Sequence, residues 1–169
     1  MPEPNETWRV FIAIELPATL RARMINHIDR LRESVPEARA SWSREDNLHL
    51  TLRFLGDIPV SNIEKLAAAA AIAVTKVEPV EIVVEGGGAF PPRGQPRVLW
   101  IGITDPSGNL STLQRALEDE CANAGFAHES RSFHPHLTMR ACASRTARAN
   151  WQPCTERLNS TARRSAFRS

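Results

Sequence analysis

The sequence lacks any uninterrupted apolar run near the roughly 20 residues that a membrane-spanning helix needs. Its start, MPEPNETWRV, lacks the basic stretch followed by an apolar stretch that marks a secretory signal. Cysteine is scarce, and three residues without a CxxC spacing support neither a disulfide framework nor a structural zinc site. We therefore expect a soluble cytoplasmic protein without a membrane partner.

The sequence also has no large excess of positive or negative charge, because the formal net charge is only +2. It is unevenly placed: residues 141–169 hold six arginines against one glutamate, so residues 1–140 are net negative. The overall charge therefore gives no support for nucleic-acid binding. The segment 141–169 shows neither strand alternation nor a helical stripe, and we expect a poorly ordered basic tail. A solvated tail is favoured over an RNA-binding arm.

Hydrophobic periodicity predicts five strands and three helices. In chain order these are strand 9–16, helix 17–34, strand 47–57, helix 61–75, strand 78–86, strand 97–103, helix 107–123 and strand 134–139. Ser61 is the predicted N-cap of the second helix, with Glu64 three residues later. The glycine- and proline-rich stretch 86–96 is predicted to be a loop. His27 lies just off the apolar stripe of the first helix and is expected to be partly exposed.

The sequence contains an internal repeat. The strand FIAIEL and its counterpart VLWIGI start 87 residues apart, and so do the two HLT tripeptides that begin at His49 and His136. The same shift superposes Arg53 on Arg140. Each copy reads strand, helix, HLT strand, so we predict a duplicated α+β unit occupying residues 1–140.

Two His-x-Thr strands related by a pseudo-twofold axis can bring two imidazoles into one cleft. An imidazole has an ordinary pKa of about 6.5, so one ring can accept a proton while the other donates one. Thr51 and Thr138 can donate hydrogen bonds to anionic oxygens between the rings. Strict alternation also places Arg140 on the face of His136 and Thr138, within reach of a phosphate. Such a site suits a phosphodiester.

Other chemistries find less support in the sequence. His134 and His136 could share a strand face, as in some metal sites, but no acidic residue lies near either HLT and the HExxH spacing is absent. We therefore expect no metal. The run Gly86 to Gly88 fits neither GxGxxG nor a Walker pattern, so a turn is favoured over a phosphate cradle.

The sequence resembles the two-histidine (2H) phosphoesterase superfamily, specifically the RNA 2′,3′-cyclic phosphodiesterases, also called 2′-5′ RNA ligases. The resemblance covers residues 8–139 and rests on Trp42 and on four segments, namely RVFIAIELP, NLHLTLRFLGD, GAFPPRGQPRVLWIGI and FHPHLT. It implies a bilobal α+β fold, with two antiparallel sheets and outer helices around a central cleft.

The resemblance also implies an activity and residue roles. The activity is metal-independent hydrolysis of a terminal cyclic phosphate to a 2′-phosphate, without a cofactor and with reversible 2′-5′ RNA ligation as a second reaction. His49 is the implied general acid for the 3′ oxygen, and His136 is the implied general base for water. Phe54, at the last position of His-x-Thr-x-x-Phe, is implied to stack on the base. The expected partners are RNA ends, tRNA fragments among them, or small cyclic nucleotides, and a monomer is favoured.

The second motif departs from the family pattern. The family has His-x-Thr-x-x-Arg, whose last position here is Ala141, while Arg140 lies one residue early. We expect partial compensation by Arg140 and hence a weakened enzyme. A second hypothesis stays open, namely a nucleotide-binding or RNA-end-binding module that has kept the fold and lost the chemistry.

Overall fold

The computed structural model describes residues 6–34, 41–93, 97–141 and 167–168. Their helices and strands are β1 Thr7–Glu15, α1 Ala18–Ser34, β2 Ser41–Trp42, β3 His49–Pro59, α2 Ile63–Thr75, β4 Val83–Phe90, β5 Val98–Thr104, α3 Asn109–Asn123, β6 His136–Ala141 and β7 Phe167–Arg168. No helix in these ranges is long and apolar enough to cross a membrane. The fold is α+β, as the sequence predicted.

The strands form two sheets. One has two strands, β1 and β3, and the other has five in the order β2-β6-β5-β4-β7. Every pairing in the five-stranded sheet is antiparallel. Of the predicted tail, only Ala141 and the strand Phe167–Arg168 are among the described residues, and the latter pairs with Val83 and Val84. The prediction for the rest of the tail lies outside the described residues.

The chain divides into two compact units, each assembled from three separate segments. Unit 1 comprises 1–14, 51–81 and 105–134, and unit 2 comprises 15–50, 82–104 and 135–169. Unit 1 therefore contains α2 and α3 with most of β1 and β3, whereas unit 2 contains α1 and the five-stranded sheet. The two sequence repeats thus exchange helices, since α1 of the first copy belongs to the unit of β5 and β6, and α3 of the second copy to the other unit.

The predicted apolar stripes of the helices are confirmed. On α1 the buried stripe consists of Leu20, Met24, Ile28 and Leu31, and on α3 it consists of Leu110, Leu113, Leu117 and Cys121. Burial of a large aliphatic side chain contributes about 1.5–3 kcal/mol relative to exposure, so these stripes supply much of each unit's stability.

His27 also belongs to the buried side of α1, and the expectation of a partly exposed histidine is wrong. Its side chain is 6% exposed, and Nε2 has no hydrogen-bond partner within the described structure. Burial lowers the pKa of His27 below its ordinary value, and the charge of Arg30 lowers it further. His27 therefore favours its neutral form in the folded protein.

The glycine run lies in a strand, which corrects the predicted loop. β4 spans Val83–Phe90, and Gly87 and Gly88 pair with Ile101 and Trp100 of β5. A Cβ atom on Gly88 would lie 2.5 Å from Cζ2 of Trp100, so the indole occupies the space of the missing side chain. Gly86 has φ +70°, next to a register shift in this pair. The glycines thus permit a bulge and close packing of an aromatic ring.

The predicted N-cap of α2 is also wrong. A short 3-10 turn, Val60–Asn62, precedes the helix, and Asn62 occupies the cap position without a side-chain capping hydrogen bond. Ser61 lies inside that turn. The helix boundary therefore follows the turn geometry and not the Ser-x-x-Glu pattern.

Candidate active site

His49 is the first residue of β3. Its side chain is half-buried, and so is that of Thr51, whereas Leu50 between them is fully buried. This alternation confirms the predicted half-buried strand and places His49 and Thr51 on one side of it. Burial lowers the pKa of the His49 imidazole below its ordinary value.

His136 is the first residue of β6 and lies in unit 2, as His49 does. Its register partner is Gly102 of β5, and two residues later Thr138 is paired with Trp100. Directly opposed residues of antiparallel strands share a face. His136 and Thr138 therefore lie on the sheet face that carries Trp100, as the predicted His-x-Thr arrangement requires.

Aromatic rings of the same unit contact the imidazole of His136. The ring of Phe90 lies 5.3 Å from it, edge to face, and that of Trp100 lies 6.2 Å from it. Phe90 and Trp100 themselves stack with centroids 5.3 Å apart. The aromatic pair restricts the orientations of the imidazole. Neither ring was identified as functional from the sequence, although alternation in VLWIGI places Trp100 opposite the apolar face of Leu99.

The backbone at Thr138 and Met139 is hydrogen-bonded to Ser43, which directly follows β2. The Ser43 hydroxyl donates a hydrogen bond to the carbonyl oxygen of Thr138 at 2.7 Å, and the Ser43 backbone N–H donates to that of Met139 at 2.9 Å. These bonds satisfy two backbone carbonyl groups at an irregular point of the strand.

That irregular point is a register shift between β5 and β6. Thr138 is paired with Trp100 and Arg140 with Leu99, so β6 contains one more residue than β5 in this interval. Leu99 and Trp100 are consecutive, and their side chains point to opposite faces. The expectation that His136, Thr138 and Arg140 share a face is therefore wrong: Arg140 lies on the side of Leu99.

The Arg140 side chain is only 1% exposed. Its guanidinium carbon lies 4.8 Å from the ring centroid of Trp42, which is also its register partner on β2. A guanidinium over an indole face is a favourable cation–π contact. Within unit 2, Arg140 thus contributes to packing against Trp42, and nothing in this placement brings it to the face of His136.

The register shift has a consequence for the next position. Ala141 is paired with Val98, which shares a face with Trp100 because the two are two residues apart on β5. After Thr138, the next position of β6 on the same sheet face is thus 141 and not 140. In this chain the extra residue in β6 thus returns the fifth position after His136, and not the fourth, to that face.

In the first repeat, the counterpart of Arg140 is also buried. The side chain of Arg53 is 2% exposed. One guanidinium nitrogen lies 3.1 Å from a carboxylate oxygen of Glu118, and another donates a short hydrogen bond to the Ala127 carbonyl. Arg53 is thus a buried structural residue of unit 1.

Phe54 follows Arg53 and is 50% exposed. Its ring centroid lies 6.1 Å from that of Phe11, which is 44% exposed. The guanidinium carbon of Arg131 lies 5.4 Å from the Phe54 centroid. The predicted stacking residue is therefore an accessible ring in contact with a cation that sequence reasoning did not identify.

Among the described residues, no group of three or more His, Cys, Asp or Glu side chains is placed to hold a metal ion. His134, the histidine considered with His136 as a metal ligand, is exposed and precedes β6.

Comparisons with known proteins agree with these features. An RNA 2′,3′-cyclic phosphodiesterase from Methanothermobacter thermautotrophicus is 33% identical over 133 residues, which cover 78% of this chain and 69% of that protein. The Escherichia coli protein of the same name is 34% identical over 141 residues, which cover 83% of this chain and 75% of that protein.

A crystal structure of E. coli LigT complexed with 3′-AMP superposes with a TM-score of 0.64 at 32% identity, covering 83% of this chain and 76% of that one. The family model of the 2′-5′ RNA ligase superfamily matches residues 17–168. From this match and from the two His-x-Thr motifs, the chain belongs to the 2′-5′ RNA ligase superfamily of two-histidine phosphoesterases.

Proposed function

We propose that this protein hydrolyses the 2′,3′-cyclic phosphate of RNA ends to a 2′-phosphate, using His49 and His136 as an acid/base pair. The observation that carries the proposal is the common pattern of the two repeats. In each, histidine and threonine are half-buried on one side of a strand while the following arginine is buried. The names of relatives that are 33% and 34% identical support the same activity. We assign the activity to residues 1–140.

In the proposed reaction, neutral His136 takes a proton from water, and the water oxygen attacks phosphorus. The bond between phosphorus and the 3′ oxygen breaks, and protonated His49 gives its proton to that oxygen. The products are a 2′-phosphate and a free 3′ hydroxyl. Thr51 and Thr138 donate hydrogen bonds to the non-bridging oxygens, where negative charge develops. No step requires a metal, and 2′-5′ ligation follows the same course with a 5′ hydroxyl in place of water: the 5′ oxygen attacks phosphorus and the bond to the 3′ oxygen breaks.

The two histidines lie in different environments. Burial lowers the pKa of His49, which favours its neutral form in the unliganded protein. In the proposed acid role, the negative charge of the bound phosphodiester favours the protonated form. Phe90 and Trp100 contact the ring of His136 and restrict its orientation. A general base that accepts a proton from one bound water molecule needs such a fixed orientation.

The test is hydrolysis of adenosine 2′,3′-cyclic phosphate in excess EDTA, with 2′-AMP measured by chromatography. We expect turnover that EDTA does not change, and its loss by at least about 100-fold in His49→Ala and in His136→Ala. The control is His128→Ala, which removes an imidazole that is 66% exposed. Near-full activity of either variant would refute the pair, and loss of turnover on chelation would refute the metal-free mechanism.

The alanine at position 141 favours a second candidate, a binding module of the same fold without turnover. It predicts that 2′-AMP binds in calorimetry while the cyclic nucleotide stays intact. Turnover by the unmodified chain would exclude this candidate.

A further inference from the structure

Ser43 makes hydrogen bonds to two consecutive carbonyl groups of β6. Its backbone N–H donates to the Met139 carbonyl at 2.9 Å, and its hydroxyl donates to the Thr138 carbonyl at 2.7 Å. Met139 is the extra residue at the register shift, because the pairing of β6 with β5 passes from Thr138 directly to Arg140. Ser43 therefore holds both carbonyl groups at the point where the strand changes register.

The hydroxyl of Ser43 supplies a donor where the backbone of β2 ends. β2 spans Ser41–Trp42 and is paired with Ala141 and Arg140 of β6. Ser43 continues this pairing by one residue, and the chain then enters the short 3-10 turn Glu45–Asn47. One backbone N–H satisfies one carbonyl group, so the hydrogen bond to the second carbonyl comes from the side chain.

The position of the extra residue decides whether the Thr138 side chain lies on the face of His136. Thr138 is half-buried, whereas Met139, which follows it, is fully buried. If the bulge moved by one residue toward His136, Thr138 would become the extra residue. Met139 would then take its place on the face of His136, because side chains alternate along a strand. The hydrogen bonds of Ser43 oppose this change.

Ser43 also connects β6 to the segment that leads to His49. Ser43 precedes His49 by six residues, and all of them belong to unit 2, as His136 does. Backbone hydrogen bonds of 2.9 and 3.1 Å close the turn Glu45–Asn47. Leu48 follows this turn and is 3% exposed. The segment between Ser43 and His49 is therefore short and held at both ends.

We propose that Ser43 is a positioning residue of the hydrolysis, whose hydroxyl fixes the bulge of β6 in the register that keeps Thr138 on the face of His136. The inference rests on the proposed function, in which Thr138 donates a hydrogen bond to a non-bridging phosphate oxygen. Such a donor must lie within hydrogen-bond distance of the point where negative charge develops, so a small displacement weakens catalysis. Ser43 acts through Thr138 and not on the phosphate itself.

The test compares Ser43→Thr with Ser43→Val, because threonine and valine have nearly the same shape and differ in the hydroxyl. With adenosine 2′,3′-cyclic phosphate, we expect Ser43→Thr to keep kcat within about 2-fold and Ser43→Val to lose about 3- to 10-fold, the usual effect of one hydrogen bond. Ser43→Ala, which removes the hydroxyl without adding methyl groups, should lose the same factor. KM should change less than kcat, since the contact strengthens as charge develops.

A double-mutant cycle distinguishes positioning from a general loss of stability. If Ser43 acts through Thr138, Ser43→Val should cost less than about 2-fold in a Thr138→Ala background, because no hydroxyl then remains to be positioned. The same loss of kcat in both backgrounds would overturn the proposal. Equal kcat values for Ser43→Thr and Ser43→Val would also overturn it, whether both values are high or low.

The matched control is Ser34→Ala. The Ser34 hydroxyl also donates to a backbone carbonyl, that of Leu31 at 2.8 Å, but this bond lies within α1. Ser34→Ala should leave kcat unchanged, and a loss as large as that of Ser43→Val would overturn the proposal. All assays are run below the unfolding transition of each variant, as measured by its melting curve.

Failure of the proposed hydrolysis gives a different result, since the unmodified chain would then not turn over the substrate. In that case calorimetry with 2′-AMP decides, because the Thr138 hydroxyl would still contact the bound phosphate. We expect Ser43→Val to bind 2′-AMP about 2- to 5-fold more weakly than Ser43→Thr does. Equal dissociation constants for the two variants would overturn the inference.

Discussion

The register shift in β6 makes a prediction about two adjacent positions. Ala141→Arg places a guanidinium at the strand position paired with Val98, whereas Arg140→Ala removes one from the position paired with Leu99. Because Val98 shares a face with Trp100, the partner of Thr138, the first change is expected to affect catalysis. The second change is expected to affect stability.

The two substitutions are expected to change different quantities, kcat in one case and the free energy of unfolding in the other. A guanidinium that stabilises the developing charge on phosphate lowers the barrier by about 2–4 kcal/mol, so Ala141→Arg should raise kcat roughly 30- to 1000-fold. Arg140 is 1% exposed and stacks on Trp42 at 4.8 Å. Its truncation loses that contact and leaves a cavity, so we expect about 2–4 kcal/mol of destabilisation and a Tm lower by about 5–15 °C.

The assay measures kcat on adenosine 2′,3′-cyclic phosphate together with thermal unfolding. Ala141→Leu is the matched control, since it adds volume without charge, and it should not raise kcat. The reasoning is refuted if Arg140→Ala lowers kcat 30-fold or more while its melting curve is unchanged, because Arg140 would then reach the phosphate. A kcat of Ala141→Arg equal to that of the unmodified chain would also contradict it.

Three further predictions concern stability. Burial lowers the pKa of His27, so as the pH falls below about 6.5 the unfolded chain takes up this proton before the folded protein does, and over that interval the free energy of unfolding falls by up to about 1.4 kcal/mol per pH unit. Denaturant titrations from pH 7.5 to 5 should show a weaker fall in His27→Leu, and equal slopes would disprove this. Glu118→Ala leaves the buried Arg53 without its carboxylate and should cost about 3 kcal/mol in chemical unfolding, whereas a loss below about 1 kcal/mol would contradict the ion pair's role. Gly88→Ala places a Cβ 2.5 Å from Trp100 and should destabilise the protein by about 1–3 kcal/mol, and an unchanged Tm would show that the indole moves freely.

Local sequence patterns predicted the elements that depend on residues close together in the chain. The three- and four-residue spacing of Leu20, Met24 and Ile28 is sufficient for an amphipathic helix, and the structure buries all three. The same reasoning failed to predict the strand at Gly86 to Gly88. A glycine-rich composition indicates backbone freedom, but it does not show which neighbouring side chain packs against the glycines. Here that neighbour is Trp100, whose ring fills the space above Gly88.

By itself, the sequence determined the α+β class, the internal repeat and the family, since each depends on residue order and spacing alone. Only the tertiary structure decided which residues share a face after Thr138 and which unit receives each helix. Alternation continues along a strand until a partner strand imposes a register shift, and that shift is a property of the pair. One extra residue in β6 therefore moved Arg140 from the expected phosphate-binding face to the side of Leu99.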